Sequence, residues 1–201
     1  MEKGSDTLIM VFTRNPVPGR VKTRIGRVMG DEAAMQVHRR LSQHTRSVVQ
    51  QLTCDKSVWL DGPPAGDWWW GEGLFQVNIQ RGSDLGERMA NAFLDAFRSG
   101  YRKVIIIGTD CPGITTSILD KSIFALDEVP AVIGPAADGG YYLLGLTGFI
   151  PELFSGKAWG TATVFQDTIS DLDRSGHVHR LLPELPDVDR PEDLIHLQGL
   201  P

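Results

Sequence analysis

The sequence contains only two cysteines, Cys54 and Cys111. They form neither a Cys-x-x-Cys pair nor a spacing with histidine that would bind zinc. The pattern argues against a structural zinc site and predicts two free thiols in a reducing compartment, while a single disulfide stays open. The five histidines likewise show no triad or metal-binding pattern.

Long apolar runs are also missing. No stretch approaches the ~20 apolar residues that span a bilayer, and residues 1–6 lack the basic head and apolar core of a secretory leader. The chain carries 20 Lys and Arg against 25 Asp and Glu, a net charge of -5, which disfavours broad binding to nucleic-acid backbones. We therefore expect a soluble cytoplasmic protein whose partners are small molecules.

Strand and helix signals alternate along the chain, which favours an α/β layered sheet. The predicted strands cover 8–14, 56–60, 74–80, 103–110, 131–135, 141–146 and 177–182. The predicted helices cover 31–52, 83–99, 115–126, 163–174 and 191–198. Ser83 is expected to cap the second helix. With no repeat and no linker, residues 1–201 are expected to form a single domain.

Tryptophans are concentrated at Trp68 to Trp70, within a segment rich in Gly and Pro that predicts a loop over 61–73. These rings are expected to fold onto the core, because each buries a large apolar area there. Stacking on a sugar or contact with a partner is the alternative.

Positive charge is concentrated in residues 14–24, directly after the first predicted strand. The basic residues of this segment are Arg14, Arg20, Lys22 and Arg24. Pro16, Pro18 and Gly19 break the strand and predict a loop in which the basic side chains converge on one point. Such a loop is typical of a phosphate-binding turn, and a solvated basic loop without a ligand is the alternative.

A carboxylate follows the β-branched run 104–107 at the predicted end of another strand. Ligands of open α/β sheets collect beyond the carboxyl ends of the strands, where Asp110 would lie. Phosphates would repel this carboxylate unless a divalent cation lay between them, and Mg²⁺ is held by one or two carboxylates plus phosphate oxygens. Asp110 is therefore the first candidate metal ligand, and an Asp that only forms a turn is the alternative.

Two further carboxylates, Asp187 and Asp189, lie two residues apart near the C-terminus. An extended backbone directs both side chains to the same side, so one of them, Asp189, is expected to complete the metal site. Pro191 is expected to begin a helix directly afterwards.

Paired glycines at Gly139 and Gly140 allow the backbone to approach a ligand closely, with Asp138 beside them. Asp-Gly between two apolar strands is equally typical of a hairpin turn. Tyr141 and Tyr142 either line an acceptor pocket or fill one face of a strand.

Taken in chain order, segments 14–24, 108–112, 138–142 and 187–194 resemble bacterial GT-A-fold transferases related to nucleotide-diphospho-sugar transferases. Segments 84–88 and 159–164 share the resemblance. The first and last motifs are also similar to the guanylyltransferases that activate phospholactate or molybdenum cofactor. The resemblance implies a three-layer αβα sandwich with a mostly parallel mixed sheet, which binds a nucleotide across its N-terminal half with Mg²⁺ or Mn²⁺ on the phosphates.

The resemblance also implies roles for individual residues. The implied nucleotide-binding residues are Arg14, Gly19, Lys22, Arg24, Asp84 and Thr109. The implied metal ligands are Asp110 and Asp189, and the implied residues for the second substrate are Gly139, Gly140 and Tyr141. Lys22 would stabilise charge on the leaving phosphate, and Asp138 would take the proton of the acceptor hydroxyl.

Three functions are compatible with this pattern. The first is glycosyl transfer from a nucleotide sugar to a small-molecule acceptor. The second is nucleotidyl transfer from a nucleoside triphosphate with release of pyrophosphate, and the third is nucleotide binding without catalysis. GT-A glycosyltransferases typically carry Asp-x-Asp at the strand end, whereas this chain has Asp110 alone, followed by Cys111. The base, the acceptor, the stereochemistry and the oligomeric state stay open.

Overall fold

Seven strands form one sheet in the computed structural model, which describes residues 4–65, 70 and 73–200. They are β1 (Thr7–Thr13), β2 (Asp55–Leu60), β3 (Gln76–Ile79), β4 (Lys103–Ile107), β5 (Ala131–Pro135), β6 (Tyr141–Leu146) and β7 (His179–Leu181). Their order across the sheet is β3-β2-β1-β4-β6-β5-β7.

The sheet is parallel except at β6. β1 pairs in parallel with β2 and with β4, β2 with β3, and β5 with β7. β6 runs antiparallel to both of its neighbours, β4 and β5. The mostly parallel mixed sheet predicted from the sequence is therefore confirmed, and the carboxyl ends of β1, β2 and β4 meet at one edge.

Helices cover both faces of the sheet. They are α1 (Thr23–Met29), α2 (Asp31–Val49), α3 (Leu85–Arg98), α4 (Thr116–Ala125) and α5 (Val164–Arg174), with 3₁₀ helices at Pro151–Phe154 and Pro191–Leu197. Alternate side chains of β1 point to opposite faces. Ile9 therefore packs in a core with residues of α2 and α4, and Met10 in a second core with residues of α3 and α5. This arrangement is the predicted three-layer αβα sandwich.

Several predicted boundaries were wrong. The expected basic loop ends earlier, because α1 begins at Thr23. Ser83 does not cap α3; the Asp84 carboxylate accepts the Glu87 N–H at 2.8 Å and occupies that position. The predicted C-terminal helix is a 3₁₀ helix with Pro191 in its first turn.

Cys54 and Cys111 are both free and buried. Burial raises the pKa of the Cys111 thiol, in agreement with its interpretation as a small core residue. Trp70 is buried and packs edge-on against Phe75, while Trp68 and Trp69 lie outside the described residues. Within the described ranges, no helix combines the length and apolar character needed to traverse a membrane.

Candidate active site

Lys22 lies between the β1 loop and α1, where it forms the N-cap with φ 45° and ψ 46°. Among the described residues it is the only non-glycine with positive φ. Such a conformation costs on the order of 1–3 kcal/mol and persists where the surroundings enforce it. The side chain is 4% exposed, and its Nζ lies 2.6 Å from Asp110 Oδ1. The strained backbone thus directs a buried ammonium at the carboxyl end of β4.

The Asp110 side chain is 54% exposed, so its carboxylate borders open space at the carboxyl end of β4, here called the recess. Desolvation opposes ionisation of this carboxyl group. The charge and hydrogen bond of the Lys22 ammonium, together with the charges of His38 and Arg14, outweigh that effect and hold the pKa of Asp110 below its usual range. An ionised carboxylate therefore faces the solvent beside a buried cation.

The C-terminal segment reaches this strand end through its backbone. Buried Val188 donates its N–H to the Asp110 carbonyl oxygen at 2.9 Å. Asp187 and Asp189 flank this contact and both line one cleft, as their predicted common orientation requires. Asp189 forms an ion pair with Arg24 of α1. Segments far apart along the chain therefore meet at the carboxyl end of β4.

The cleft beside this recess has a volume of about 370 Å³. Its carboxylates are Asp138, Asp187, Asp189 and Asp193, and its basic side chains are Arg24, Arg190 and His196. Burial raises the pKa of Asp187 above its usual range, and the negative charges of Asp138, Asp193 and Asp110 add to that shift. This accumulation of negative charge favours a cationic ligand.

No set of three or more Asp, Glu, His or Cys side chains is arranged to hold a metal within the described part of the chain. Asp110 with one carboxylate of the 187–189 segment makes at most a partial site. Mg²⁺ fits such a site, because it usually keeps several waters and completes its coordination with substrate phosphates.

Asp138 belongs to the hairpin connecting β5 and β6, so the turn interpretation of Asp-Gly is correct. Its Oδ1 accepts the Gly140 N–H at 2.8 Å, and the same residue lines the cleft. Gly139 has φ 87°, and its carbonyl accepts the Phe165 N–H at 2.9 Å. The hairpin loop is therefore fixed against the start of α5.

The four basic side chains of segment 14–24 do not converge on one point, contrary to the prediction. Because α1 begins at Thr23, Arg24 lies on a helix and turns to Asp189. Arg14 Nη1 donates a hydrogen bond to the backbone carbonyl oxygen of Arg20, which is exposed. Lys22 forms its ion pair with Asp110. The positive charge is thus divided between the strand end and the cleft.

Other predicted site residues have structural contacts. Thr109 is buried, with its Oγ1 3.3 Å from Thr13 Oγ1, and Gly19 has φ 77°. The Tyr141 hydroxyl lies 3.7 Å from Met89 Sδ, which places the ring in the α3-side core. The structure therefore does not bring Tyr141 into the cleft.

His38 of α2 is a site residue that the sequence analysis missed. It is 4% exposed, and its Nε2 lies 3.0 Å from the Arg14 carbonyl oxygen. Since a carbonyl only accepts, Nε2 carries the hydrogen of this bond. His38 lies one turn after Ala34 and three residues before Leu41, which are both buried. This apolar spacing in the sequence indicates that His38 is buried as well. His38 thus anchors the end of β1 from beneath.

We expect stability to fall in acid because of His38. Burial lowers its pKa in the folded protein below the ordinary 6.5, so the unfolded chain binds a proton more readily. The free energy of unfolding should therefore fall by up to about 1.4 kcal/mol per pH unit below pH ~6.5. His38→Gln keeps a donor for Arg14 and should lose less stability between pH 7.5 and 5.5 in urea titrations. The exposed His196→Gln is the matched control, and an unchanged acid loss in His38→Gln would refute the assignment.

Residues 44–161 match the model of DUF2064, described as an uncharacterized protein conserved in bacteria. The chain belongs to this family. A crystal structure from Desulfovibrio desulfuricans G20, provisionally named a nucleotide-diphospho-sugar transferase, is 35% identical to this DUF2064 chain. The match covers 97% of this chain and 87% of that chain with a TM-score of 0.90. The resemblance to nucleotide-diphospho-sugar transferases predicted from the sequence is therefore confirmed.

More distant structures share the fold. CMP:2-keto-3-deoxy-manno-octonic acid synthetase complexed with CTP has a TM-score of 0.62 at 13% identity, over 98% of both chains. Rv0371c of Mycobacterium tuberculosis H37Rv, in complex with manganese, has a TM-score of 0.55 at 15% identity, over 96% of this chain and 98% of that chain. These likenesses agree with the predicted GT-A-type architecture. None of the curated proteins matches the chain.

Proposed function

We propose that this protein is a metal-dependent transferase that moves a glycosyl group from a nucleotide sugar to a small-molecule acceptor. The observation that carries the proposal is the meeting of Lys22, Asp110 and Val188 at the carboxyl end of β4. In this arrangement the segment that carries Asp187 and Asp189 lies next to a buried cation and an ionised carboxylate. The likeness to the Desulfovibrio protein supports the choice of a nucleotide sugar as donor.

The donor phosphates would bind on the β1 side of the recess. Lys22 Nζ is buried, and apart from the Asp110 carboxylate it has no hydrogen-bond partner among the residues described. An ammonium has three donors, so two lack a partner among the described residues, and they would reach phosphate oxygens once the donor displaces the side chains that cover Nζ. Arg14, whose charge acts on Asp110, would add to the stabilisation of negative charge on the leaving phosphate.

Asp110 and Asp189 would hold the divalent metal. A bound Mg²⁺ or Mn²⁺ neutralises charge on the phosphate oxygens. Asp189 forms an ion pair with Arg24, so binding the metal would replace the Arg24 guanidinium with the metal ion. Asp187 lines the same cleft and has no ion-pair partner among the described residues. The raised pKa of Asp187 is the observation that fits a cation bound at this place.

Asp138 would take the proton of the acceptor hydroxyl. Its Oδ1 is fixed by the Gly140 N–H, which orients the carboxylate and leaves Oδ2 for the substrate. Proton transfer requires the acceptor oxygen within about 3 Å of that atom in the complex. The 370 Å³ cleft that Asp138 lines is where such an acceptor would bind.

Nucleotidyl transfer is a second candidate, favoured by one specific observation. Asp110 is the one carboxylate of this strand end, since Gly108 and Pro112 occupy the positions two residues away where an Asp-x-Asp glycosyltransferase would carry the second. In this reaction, an oxygen of the second substrate attacks the α-phosphorus of a nucleoside triphosphate and pyrophosphate leaves. Lys22 and Asp110 would then act on the triphosphate in the same positions.

A ligand screen followed by product analysis tests both candidates. Nucleoside triphosphates and nucleotide sugars are screened by thermal shift with and without Mg²⁺, and the true donor should stabilise by about 2.7 kcal/mol at 100 times its Kd. Release of a nucleoside diphosphate indicates glycosyl transfer, and pyrophosphate indicates nucleotidyl transfer. Lys22→Gln should remove most of the stabilisation, whereas Lys121→Gln on the exposed face of α4 should not. No stabilisation by any nucleotide would contradict the proposal.

A further inference from the structure

A second cleft of about 350 Å³ adjoins the first. Arg24 and Arg190 line both clefts, so the two adjoin at these side chains. The remaining lining residues of the second cleft are Arg27, Val28, Pro191 and Glu192. A ligand that occupied both clefts would therefore contact Arg24 and Arg190.

Three guanidinium groups surround the second cleft, although the chain as a whole carries a net charge of -5. Arg24 and Arg27 lie three residues apart on α1 and share one face of that helix. Arg190 approaches from the start of the C-terminal 3₁₀ helix. Neither Arg27 nor Arg190 forms an ion pair within the described ranges, whereas Arg24 is paired with Asp189 and Glu192 adds a second carboxylate. The cleft therefore carries net positive charge.

The geometry of these groups suits a phosphate. A guanidinium presents its N–H donors in a planar fork that matches phosphate oxygens, and charge-assisted pairs of this kind are the stronger hydrogen bonds. Val28, 73% exposed, and Pro191 offer apolar surface beside the arginines. A phosphorylated carbon chain would satisfy both parts of the cleft.

We propose that the second cleft binds the phosphomonoester of the acceptor, so that the second substrate is a phosphorylated molecule whose reacting hydroxyl lies beside Asp138. This inference rests on the proposed function, because the first cleft must hold the reacting end. The phosphate of a soluble metabolite and that of a lipid headgroup share this chemistry. Titrating the protein with a phosphorylated molecule in the absence of nucleotide tests the phosphate site separately from the proposed transferase function. Such a titration reports on the second cleft alone.

Glycerol 3-phosphate is the probe for calorimetric titration of the full chain. Wild type should bind it, while glycerol without the phosphate should not bind. Arg27→Gln and Arg190→Gln should each weaken binding by about tenfold, because each removes a charged donor pair. Arg98→Gln, an exposed arginine at the end of α3, is the matched control and should bind as wild type does. The affinity for a nucleotide with Mg²⁺ should stay unchanged in Arg27→Gln.

Vesicles of phosphatidylcholine with and without phosphatidic acid distinguish the two sources of the phosphate. If the protein sediments with phosphatidic acid vesicles, and Arg27→Gln and Arg190→Gln each abolish this sedimentation, the acceptor is a lipid. If the protein binds glycerol 3-phosphate and does not sediment with the vesicles, the acceptor is a soluble metabolite. Both results support the site. Absence of binding to either form, or wild-type affinity in both variants, overturns the proposal, even where a nucleotide binds normally.

Discussion

Asp110→Asn is expected to abolish the dependence of nucleotide binding on Mg²⁺ and to lower nucleotide affinity in Mg²⁺ at least about 100-fold. Asp110 is an ionised carboxylate that borders the recess, and the Lys22 ammonium is the main group that favours this state. The amide has neither the charge of a metal ligand nor the ion pair with Lys22. Substitutions next to a metal commonly cost 10–100-fold in affinity, and loss of a ligand costs more.

Calorimetric titration with and without Mg²⁺ measures this effect directly. Without metal, Asp110→Asn should bind the nucleotide at least as well as wild type, because a negative charge facing the phosphates is removed. Asp120→Asn, on the exposed surface of α4, is the control for loss of a carboxylate elsewhere. Urea unfolding of both variants checks that the fold is retained. Unchanged affinity of Asp110→Asn in Mg²⁺ would exclude Asp110 as a metal ligand.

Gly139→Ala should destabilise the protein by about 2–5 kcal/mol and remove activity. A Cβ at this position would overlap the carbonyl oxygen of Ala162, which belongs to the backbone and cannot move away as a side chain does. The φ of 87° adds strain of about 1–2 kcal/mol for any residue with a Cβ. Overpacking contributes a further 1–3 kcal/mol, roughly. The hairpin loop that carries Asp138 would therefore have to move away from the start of α5.

Gly148→Ala is the matched control for this substitution. Gly148 follows β6 and a Cβ there would meet nothing within 4 Å, so its effect on stability should stay below about 1 kcal/mol. Urea titration gives the free energy of unfolding for both variants, and product formation gives their activity. A Gly139→Ala protein as stable as Gly148→Ala would show that the hairpin loop is not held as described.

The helices and strands were predictable where residues close together in the sequence define their boundaries. The strands Ala131–Pro135 and Tyr141–Leu146 have the predicted bounds, because apolar runs interrupted by Gly and Pro define them. The helix α1 was not predicted, since seven residues provide too short a periodicity and its N-cap lacks a side-chain hydrogen bond. That helix decides where Arg24 points, so the expected convergence of the basic residues was wrong.

The sequence predicted which residues belong to the candidate site better than it predicted which residues contact one another there. Asp110 could be placed from the strand that precedes it, whereas the contact between Val188 and Asp110 joins residues that no local pattern connects. The resemblance to a family indicated which segments belong together. His38 lacked any such signal beyond its place on an apolar helix face, and its bond to Arg14 depends on how α2 packs under β1.

The backbone bond from Val188 to Asp110 has a consequence for the order in which the molecule matures. During synthesis, β1 and β4 emerge from the ribosome well before residue 188, so the sheet can assemble while its recess still lacks one wall. The proposed nucleotide site is therefore completed late, once residues 187–189 have docked beside Asp110. A nascent chain halted before residue 187 would lack the segment that carries Asp187 and Asp189, and we expect it not to retain a nucleotide.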